Sequence, residues 1–407
     1  MEKVISKCTI LFYFLIAAFP LMRANINSLL IIICCLFTLY NFLKNKKKVT
    51  FSKKIFYATL VFWLFLFYEI ISLNFSSKII LRHLPFLIFP LLFIYKPNYI
   101  NEKVKNSSIF IFQSSVILQC LIYLYVFIKE YSLQQIFSIN NYNIPLFRTF
   151  VHYNTSIEIH PTYFSSFLLC SFTISLFFGL KNSVRKNRIF HITNIFFTLF
   201  FILVFVSKII ILVLVLTILV YLFILLKNKK DFIKKLIVIL ILSVISFFSF
   251  KNLITSRFNE IKTEINRPLV GDYHNSINIR VAIMKCSYEL LKKVPFFGFG
   301  NNLQEELNNC YQNNYDSNFH KLATYNSHNY YINLILYGGW IFFFFFFLYL
   351  FFLFKQNKFP LFIIVILTQL VLINFTENFF SRHHGIILFI YFISLFLSVD
   401  KHKQFIK

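Results

Sequence analysis

About twelve long apolar runs determine what this 407-residue chain can fold into. A helix needs roughly 20 apolar residues to cross a bilayer core about 30 Å thick. The runs approach that length, and they are too continuous for the alternating strands of a membrane barrel. We therefore predict an all-α, polytopic integral membrane protein with about 12 transmembrane helices. The predicted spans are residues 8–22, 27–43, 55–73, 79–95, 107–128, 162–180, 189–206, 209–226, 236–250, 330–354, 359–376 and 386–399.

One polar segment, residues 251–329, interrupts this pattern after the ninth predicted span. We expect residues 1–250 to form a transmembrane scaffold of about nine helices. Residues 330–407 then add the last three helices and a short cytoplasmic tail. Residues 251–329 form one large extracytoplasmic loop with short helices, and most of the motif-like residues lie in it. A chain that is 58% hydrophobic is not expected to be a soluble protein.

The net charge of +26 follows the same membrane pattern. With the N-terminus placed in the cytoplasm, more than half of the 41 Lys and Arg fall in inner segments. Inner connections of membrane proteins carry this excess of positive charge. We therefore predict that both termini are cytoplasmic and that membrane lipids are partners. The charge does not indicate nucleic-acid binding.

The cysteines and histidines indicate no metal centre. Five of the seven cysteines lie in predicted spans, where they act as small apolar residues. Cys286 and Cys310 share the large loop, and a disulfide between them is one of two open alternatives because an extracytoplasmic compartment permits it. No spacing typical of metal ligands occurs in the sequence. We expect neither a metal nor another cofactor.

The large loop contains an amphipathic pattern followed by a turn. A helix is predicted from Ser276 to Lys293, because apolar residues recur there at three- and four-residue spacing. Pro295, Gly298 and Gly300 end this helix. Such a helix is typical of a segment that lies flat on the membrane interface. The apolar positions are Ile279, Ile283, Cys286 and Leu290.

Ionisable side chains gather at the predicted outer ends of the spans. An arginine fork suits a diphosphate, and a histidine suits the activation of a hydroxyl near neutral pH. A transporter would instead place ionisable groups near the bilayer centre. The sequence alone does not bring any two of these residues together. The set is Glu69, Arg82, Arg148, His160, Lys208, Arg257, Arg267, Arg280, His328 and Glu377.

Several short motifs follow one another in a recognisable order. They include His160-Pro161-Thr162-Tyr163, Ser207-Lys208, Arg280, Pro295 to Gly300, His328-Asn329, Gly338-Gly339-Trp340 and Glu377. Together these motifs resemble the O-antigen ligase/polymerase family of bacterial membrane glycosyltransferases. The resemblance covers roughly residues 160–385.

The resemblance implies a reaction and a location. Family members transfer a glycan from undecaprenyl diphosphate at the periplasmic face of the bacterial inner membrane, without a metal. The acceptor is the lipid A core for a ligase, or another lipid-linked glycan for a polymerase. We therefore expect an inverting ligase. A repeat-unit polymerase is the alternative, and a polysaccharide flippase is a third, less favoured possibility.

The resemblance also assigns roles to residues of this chain. Arg280 and His328 are expected to be catalytic, the first on the departing diphosphate and the second at the acceptor hydroxyl. The expected substrate-binding residues are Lys208, His160, Arg257, Glu377, Gly298, Gly300 and Asn329. Three features depart from the family pattern: Lys208 replaces an arginine, Tyr337 stands where an acidic residue is common, and the Gly338-Gly339 pair is more closely spaced.

Overall fold

The computed structural model describes residues 2–45, 53–72, 75–94, 102–140, 144–153, 159–178, 185–226, 250–256, 258–259, 261–262, 265, 276–315, 324–356 and 359–397. Within these residues the fold is helical, and the only strand-like pairing is an isolated antiparallel bridge between Ile139 and Pro145. The all-α prediction is confirmed. Arg257, Arg267 and nearly all of the predicted span 236–250 lie outside the described residues.

The helices follow the apolar runs closely. In chain order they are α1 (Glu2–Ala17), α2 (Ala24–Asn45), α3 (Lys53–Ile71), α4 (Ser77–His83), α5 (Pro85–Ile94), α6 (Glu102–Glu130), α7 (Leu146–Tyr153), α8 (Pro161–Phe177), α9 (Arg185–Phe205), α10 (Lys208–Leu226), α11 (Ser276–Lys293), α12 (Leu303–Asn314), α13 (Tyr330–Gln356), α14 (Leu361–Ile373) and α15 (His383–Leu397).

Four of the described helices, α6, α9, α10 and α13, are long and apolar enough to cross a membrane. Six shorter apolar helices accompany them, within α1, α2, α3, α8, α14 and α15. Helix α15 lies at the centre of the bundle, because it packs against α3, α5, α8 and α14 and is buried from His384 to Phe396. The count of twelve spans and the large loop stay predictions.

The predicted fourth span, residues 79–95, is interrupted in the structure. Helix α4 ends at His83 and α5 begins at Pro85. Proline has no N–H to donate to the preceding turn, so the helical ladder breaks there. The predicted span is therefore kinked at Leu84, which keeps helical dihedral angles, and its crossing of the membrane stays a prediction.

Helix α11 has the predicted bounds, but its apolar face has a different environment. Ile283 and Cys286 are fully buried, because α11 packs against α12 and α13. A disulfide joins Cys286 to Cys310 of α12 across a Cα–Cα distance of 5.8 Å. Protein therefore covers the face that the sequence pattern places on the membrane interface, and the open question of the disulfide is resolved.

A network of uncharged polar side chains lies inside the bundle. Gln113 of α6 and Asn194 of α9 both donate to the Ser175 hydroxyl of α8, each at 2.7 Å. Gln369 of α14 donates to Thr173 and Thr217, again at 2.7 Å. These neutral groups lie in the middle part of the bundle, where the sequence indicates no functional charges.

Helix α13 is broken near its beginning, and the turn that follows α11 packs into the break. Gly339 adopts φ 72° and ψ −177°, which frees carbonyl groups of the preceding turn. Phe299 N–H donates to Leu336 O at 2.7 Å, and the Tyr68 hydroxyl lies 2.7 Å from Tyr337 O. Neighbouring groups thus satisfy the freed carbonyls, as a broken membrane helix requires.

Candidate active site

Glu377 is the centre of the candidate site. It follows α14, and its side chain is only 4% exposed. Arg280 Nη2 donates to Glu377 Oε1 at 2.8 Å, and His328 Nδ1 lies 3.7 Å from Glu377 Oε2. Arg280 and His328, which are far from Glu377 in the sequence, therefore both approach its carboxylate.

The charge of Glu377 is maintained by its neighbours. Burial by itself favours the neutral carboxylic acid and raises the pKa. His328, Arg280 and His160 act in the opposite direction and together lower the pKa of Glu377 to about 2. The carboxylate is therefore ionised at neutral pH, and it faces both residues that the sequence analysis selects as catalytic.

His328 owes its position to the start of α13. Its backbone has φ 46°, a left-handed conformation that is uncommon for a residue with a side chain. Asn329 Oδ1 accepts hydrogen bonds from Tyr331 N–H at 3.0 Å and Ile332 N–H at 3.1 Å, so Asn329 caps the helix. Strained backbone of this kind is often found at functional sites.

Asn374 connects the end of α14 to the segment that carries Glu377. Its carbonyl accepts from Tyr330 N–H at 2.9 Å, and its Oδ1 accepts from Phe380 N–H at 3.0 Å. The first bond ties α14 to the beginning of α13, next to His328. Asn374 therefore fixes the spacing between the Glu377 segment and the helix behind His328.

His160 lies at the beginning of α8, as the sequence predicts. Its Nδ1 accepts from Thr162 N–H at 3.3 Å, and Pro161 occupies the first helical position. Burial and the nearby Arg148 lower the pKa of His160 to about 3, while Glu377 acts in the opposite direction. A neutral imidazole therefore faces the charged centre.

Arg148 is a residue of this region that the sequence analysis names but does not select. Its guanidinium donates to Phe205 O at 2.9 Å and to Thr162 Oγ1 at 3.0 Å. Ser207 Oγ lies 3.5 Å from the same Thr162 oxygen, and Lys208 begins α10 directly afterwards. Lys208 therefore directly follows a residue that approaches Thr162, the residue to which Arg148 also donates.

Tyr163 and Arg382 are further residues that sequence reasoning missed. The charges of Glu377, Arg382 and Arg280 all act on the Tyr163 hydroxyl. Tyr163 also packs on Phe379, with ring centres 5.3 Å apart. Tyr163 is the last residue of the His-Pro-Thr-Tyr motif, and Arg382 directly precedes the two histidines at the start of α15. Both residues could therefore have been selected from the sequence as neighbours of these motifs.

The two glycines of the turn have structural roles. Gly298 has φ 71°, and an added Cβ would lie 2.4 Å from Tyr337 O. Gly300 has φ 56° and lies in contact range of the Tyr68 hydroxyl. These glycines let the turn approach the broken helix, and Asn329 caps that helix. Direct substrate contacts by Gly298, Gly300 and Asn329 stay predictions.

Tyr337 is bonded to an acidic residue from a different helix. Its hydroxyl donates to the carboxylate of Glu69, which is fully buried at the end of α3. Glu69 also accepts from Ser76 N–H at 2.5 Å and from Asn301 Nδ2 at 3.4 Å. A carboxylate from α3 therefore lies at the Tyr337 hydroxyl of α13.

No group of three or more His, Cys, Asp and Glu side chains that could hold a metal occurs among the described residues. The described site consists of ion pairs and hydrogen-bond donors at one end of the bundle. Helix ends from α3, α8, α10, α11, α13, α14 and α15 contribute to it.

The geometry defines a helical membrane protein with a charged site at one end of its bundle. The family model described as O-antigen ligase matches residues 193–347, a stretch that includes Lys208, Arg280 and His328. The match confirms the predicted resemblance to the O-antigen ligase/polymerase family over this part of the chain. That family acts on lipid-linked glycan donors and lipid acceptors. Among curated proteins, none matches the chain significantly.

Proposed function

We propose that this protein is an inverting, metal-independent glycosyltransferase that moves a polysaccharide from undecaprenyl diphosphate to the lipid A core. The reaction takes place at the periplasmic face of the inner membrane. The observation that carries the proposal is the meeting of Arg280 and His328 on the buried carboxylate of Glu377.

Arg280 binds the departing diphosphate. One of its nitrogens is held by Glu377, and 46% of the side chain remains exposed for a ligand. A guanidinium keeps its charge and offers paired donors to phosphate oxygens. Because Glu377 neutralises one positive charge, a diphosphate needs further cations, and Lys208, Arg148, Arg382 and Arg257 are the candidates.

His328 activates the acceptor hydroxyl, with Glu377 beside its ring. The acceptor oxygen attacks the anomeric carbon, the new glycosidic bond forms, and the bond from that carbon to the diphosphate oxygen breaks. The hydroxyl proton passes to His328, and Glu377 stabilises the resulting imidazolium. Attack opposite the leaving group inverts the anomeric configuration.

Replacing Arg280 by alanine tests the assignment directly. Loss of a donor to developing negative charge is expected to reduce transfer by about 10²–10³-fold at unchanged protein level. The assay uses purified protein in vesicles with a lipid-linked glycan donor. Arg188→Ala, at the opposite end of the bundle, is the matched control and should transfer normally. Normal transfer by a well-expressed Arg280→Ala protein refutes the role of this residue.

The alternative within the family is a repeat-unit polymerase, and a flippase is a weaker third proposal. The glycan profile of a deletion strain separates them. Long polymer stranded on undecaprenyl diphosphate together with bare core means a ligase. Core capped by a single repeat means a polymerase. Repeats trapped at the cytoplasmic leaflet mean a flippase, and the enzyme proposal then fails.

A further inference from the structure

Helix α11 presents two different faces. The buried face packs against α12 and α13 and is fixed by the disulfide from Cys286. The opposite face carries Met284 and Tyr288, each 61% exposed, followed at the same spacing by Lys292. Lys292 Nζ lies 4.8 Å from the ring centre of Tyr288. This face combines large apolar side chains with positive charge.

The remaining charges of α11 divide between the two sides. Lys285 and Lys293 are exposed next to the Met284–Tyr288 stripe. Glu289, the acidic residue of this helix, is directed towards α12, where Asn314 Nδ2 donates to its carboxylate at 3.4 Å. The exposed face of α11 is therefore basic and aromatic.

The turn after α11 exposes two phenylalanines at a defined position. Phe296 is 68% and Phe297 is 55% exposed. The Tyr68 hydroxyl donates to Phe297 O at 2.5 Å, and an added Cβ at Gly339 would lie 2.0 Å from Phe296 O. The turn therefore lies against the end of α3 and the early part of α13, two membrane helices.

The same parts of α3 and α13 carry exposed apolar side chains. Phe67 and Ile71 of α3 are 57% and 68% exposed, and Trp340 and Phe344 of α13 are each 59% exposed. On an apolar membrane helix such residues face acyl chains, with tryptophan near the headgroups. The two phenylalanines of the turn extend this lipid-facing surface.

We propose that the exposed face of α11 and the turn at Phe296 and Phe297 form a docking surface for anionic phospholipid. The two rings enter the boundary of the acyl chains, and Lys285, Lys292 and Lys293 reach the lipid phosphates. Phenylalanine rings are wholly apolar, whereas lysine side chains have apolar stems and charged tips, so the two kinds of side chain occupy different depths of the interface. The surface holds the far end of the helix whose first turn carries Arg280.

A photo-crosslinking experiment on the full chain in its own membrane tests this surface. The photoreactive residue p-benzoylphenylalanine replaces Phe297, and in a matched control it replaces Gln312 on the exposed face of α12. After irradiation, the mass of the adduct identifies what was touching each position. We expect phospholipid adducts at position 297 and none at position 312.

The lysines are tested with the same readout. Each basic residue near a membrane surface is worth about a fivefold preference for anionic lipid. Anionic lipids should therefore be enriched at least about fivefold among the adducts, and changing all three lysines to glutamine should return the ratio to that of the bulk membrane. Lipid adducts without this enrichment refute the role of the lysines. A protein adduct at position 297, equal lipid labelling at both positions, or no adduct refutes the docking surface.

Discussion

The site around Glu377 and the network around Gln369 are both polar, but they are built differently. At the end of the bundle, a buried carboxylate shares an arginine and a histidine that remain partly exposed. Inside the bundle, amides and hydroxyls pair with each other and carry no charge. A charge at membrane depth is energetically costly and is usually retained because it has a function. A neutral hydrogen bond at that depth mainly joins helices. The comparison assigns chemistry to the first region and packing to the second.

The change expected to have the largest effect is Glu377→Ala. It removes the common partner of Arg280 and His328, so both lose their orientation, and glycan transfer should fall by about 10³-fold. Glu377→Asp should recover part of this loss. The measurement is transfer from a lipid-linked donor at matched protein level. If Glu377→Ala reduces transfer no more than a change in the neutral network does, the distinction between the two regions is wrong.

His160 gives the charged end a pH dependence of stability. Its pKa is lowered to about 3 in the folded protein, from an ordinary value of 6.5. Between these values the unfolded chain binds a proton that the folded protein does not, so stability falls as the pH falls below 6.5. From pH 7 to pH 5 the loss should be about 2 kcal/mol.

The comparison of wild type with His160→Gln isolates this contribution. Thermal unfolding in detergent at pH 7 and pH 5 should show a smaller loss for the variant than for the wild type. Arg280–Glu377 pairing does not disturb the comparison, because Glu377, with a pKa of about 2, stays ionised at both pH values. Equal losses in the two proteins contradict the neutral state of His160 in the folded protein.

Tyr68 is expected to act on the site from a distance. Its hydroxyl lies 2.5 Å from Phe297 O and 2.7 Å from Tyr337 O, and it joins the end of α11 to the broken helix α13. Arg280 lies near the other end of α11, and His328 lies just before α13, at the same end of that helix as the break. Tyr68→Phe should therefore reduce transfer by roughly tenfold, because the free energy of about one hydrogen bond corresponds to about a tenfold change in rate.

A double variant distinguishes positioning from general destabilisation. If Tyr68 acts through Arg280, adding Tyr68→Phe to Arg280→Ala should cause little further loss of transfer, because the effects of coupled residues do not add. A full additional tenfold loss shows instead that Tyr68 acts independently of Arg280.

The sequence predicts the local features of this site and misses the long-range ones. Amphipathic spacing and Pro295 give the bounds of α11, and Pro161 gives the beginning of α8. The meeting of Arg280, His328 and Glu377 depends on how separate helices pack, which no local pattern specifies. The same holds for Glu69, whose bond to Tyr337 joins α3 to α13 across 268 residues.

The α11 face shows the limit of periodicity in a different way. Spacing correctly identifies which side chains are apolar, but a buried protein contact and a membrane contact require the same composition. The helix packs its regular apolar face on α12 and α13, while its aromatic and basic residues lie on the other side. Only tertiary structure distinguishes the two environments.

The smallest expected effect tests the neutral side of the comparison. Gln369→Leu removes hydrogen bonds to Thr173 and Thr217. Such bonds between membrane helices average about 0.6 kcal/mol, so unfolding free energy should fall by about 1 kcal/mol with transfer nearly unchanged. Thr217→Val, which removes one acceptor, should cost about half as much. If Gln369→Leu lowers transfer more than tenfold at unchanged stability, the inner network takes part in the reaction, and charge no longer distinguishes catalytic from packing regions in this protein.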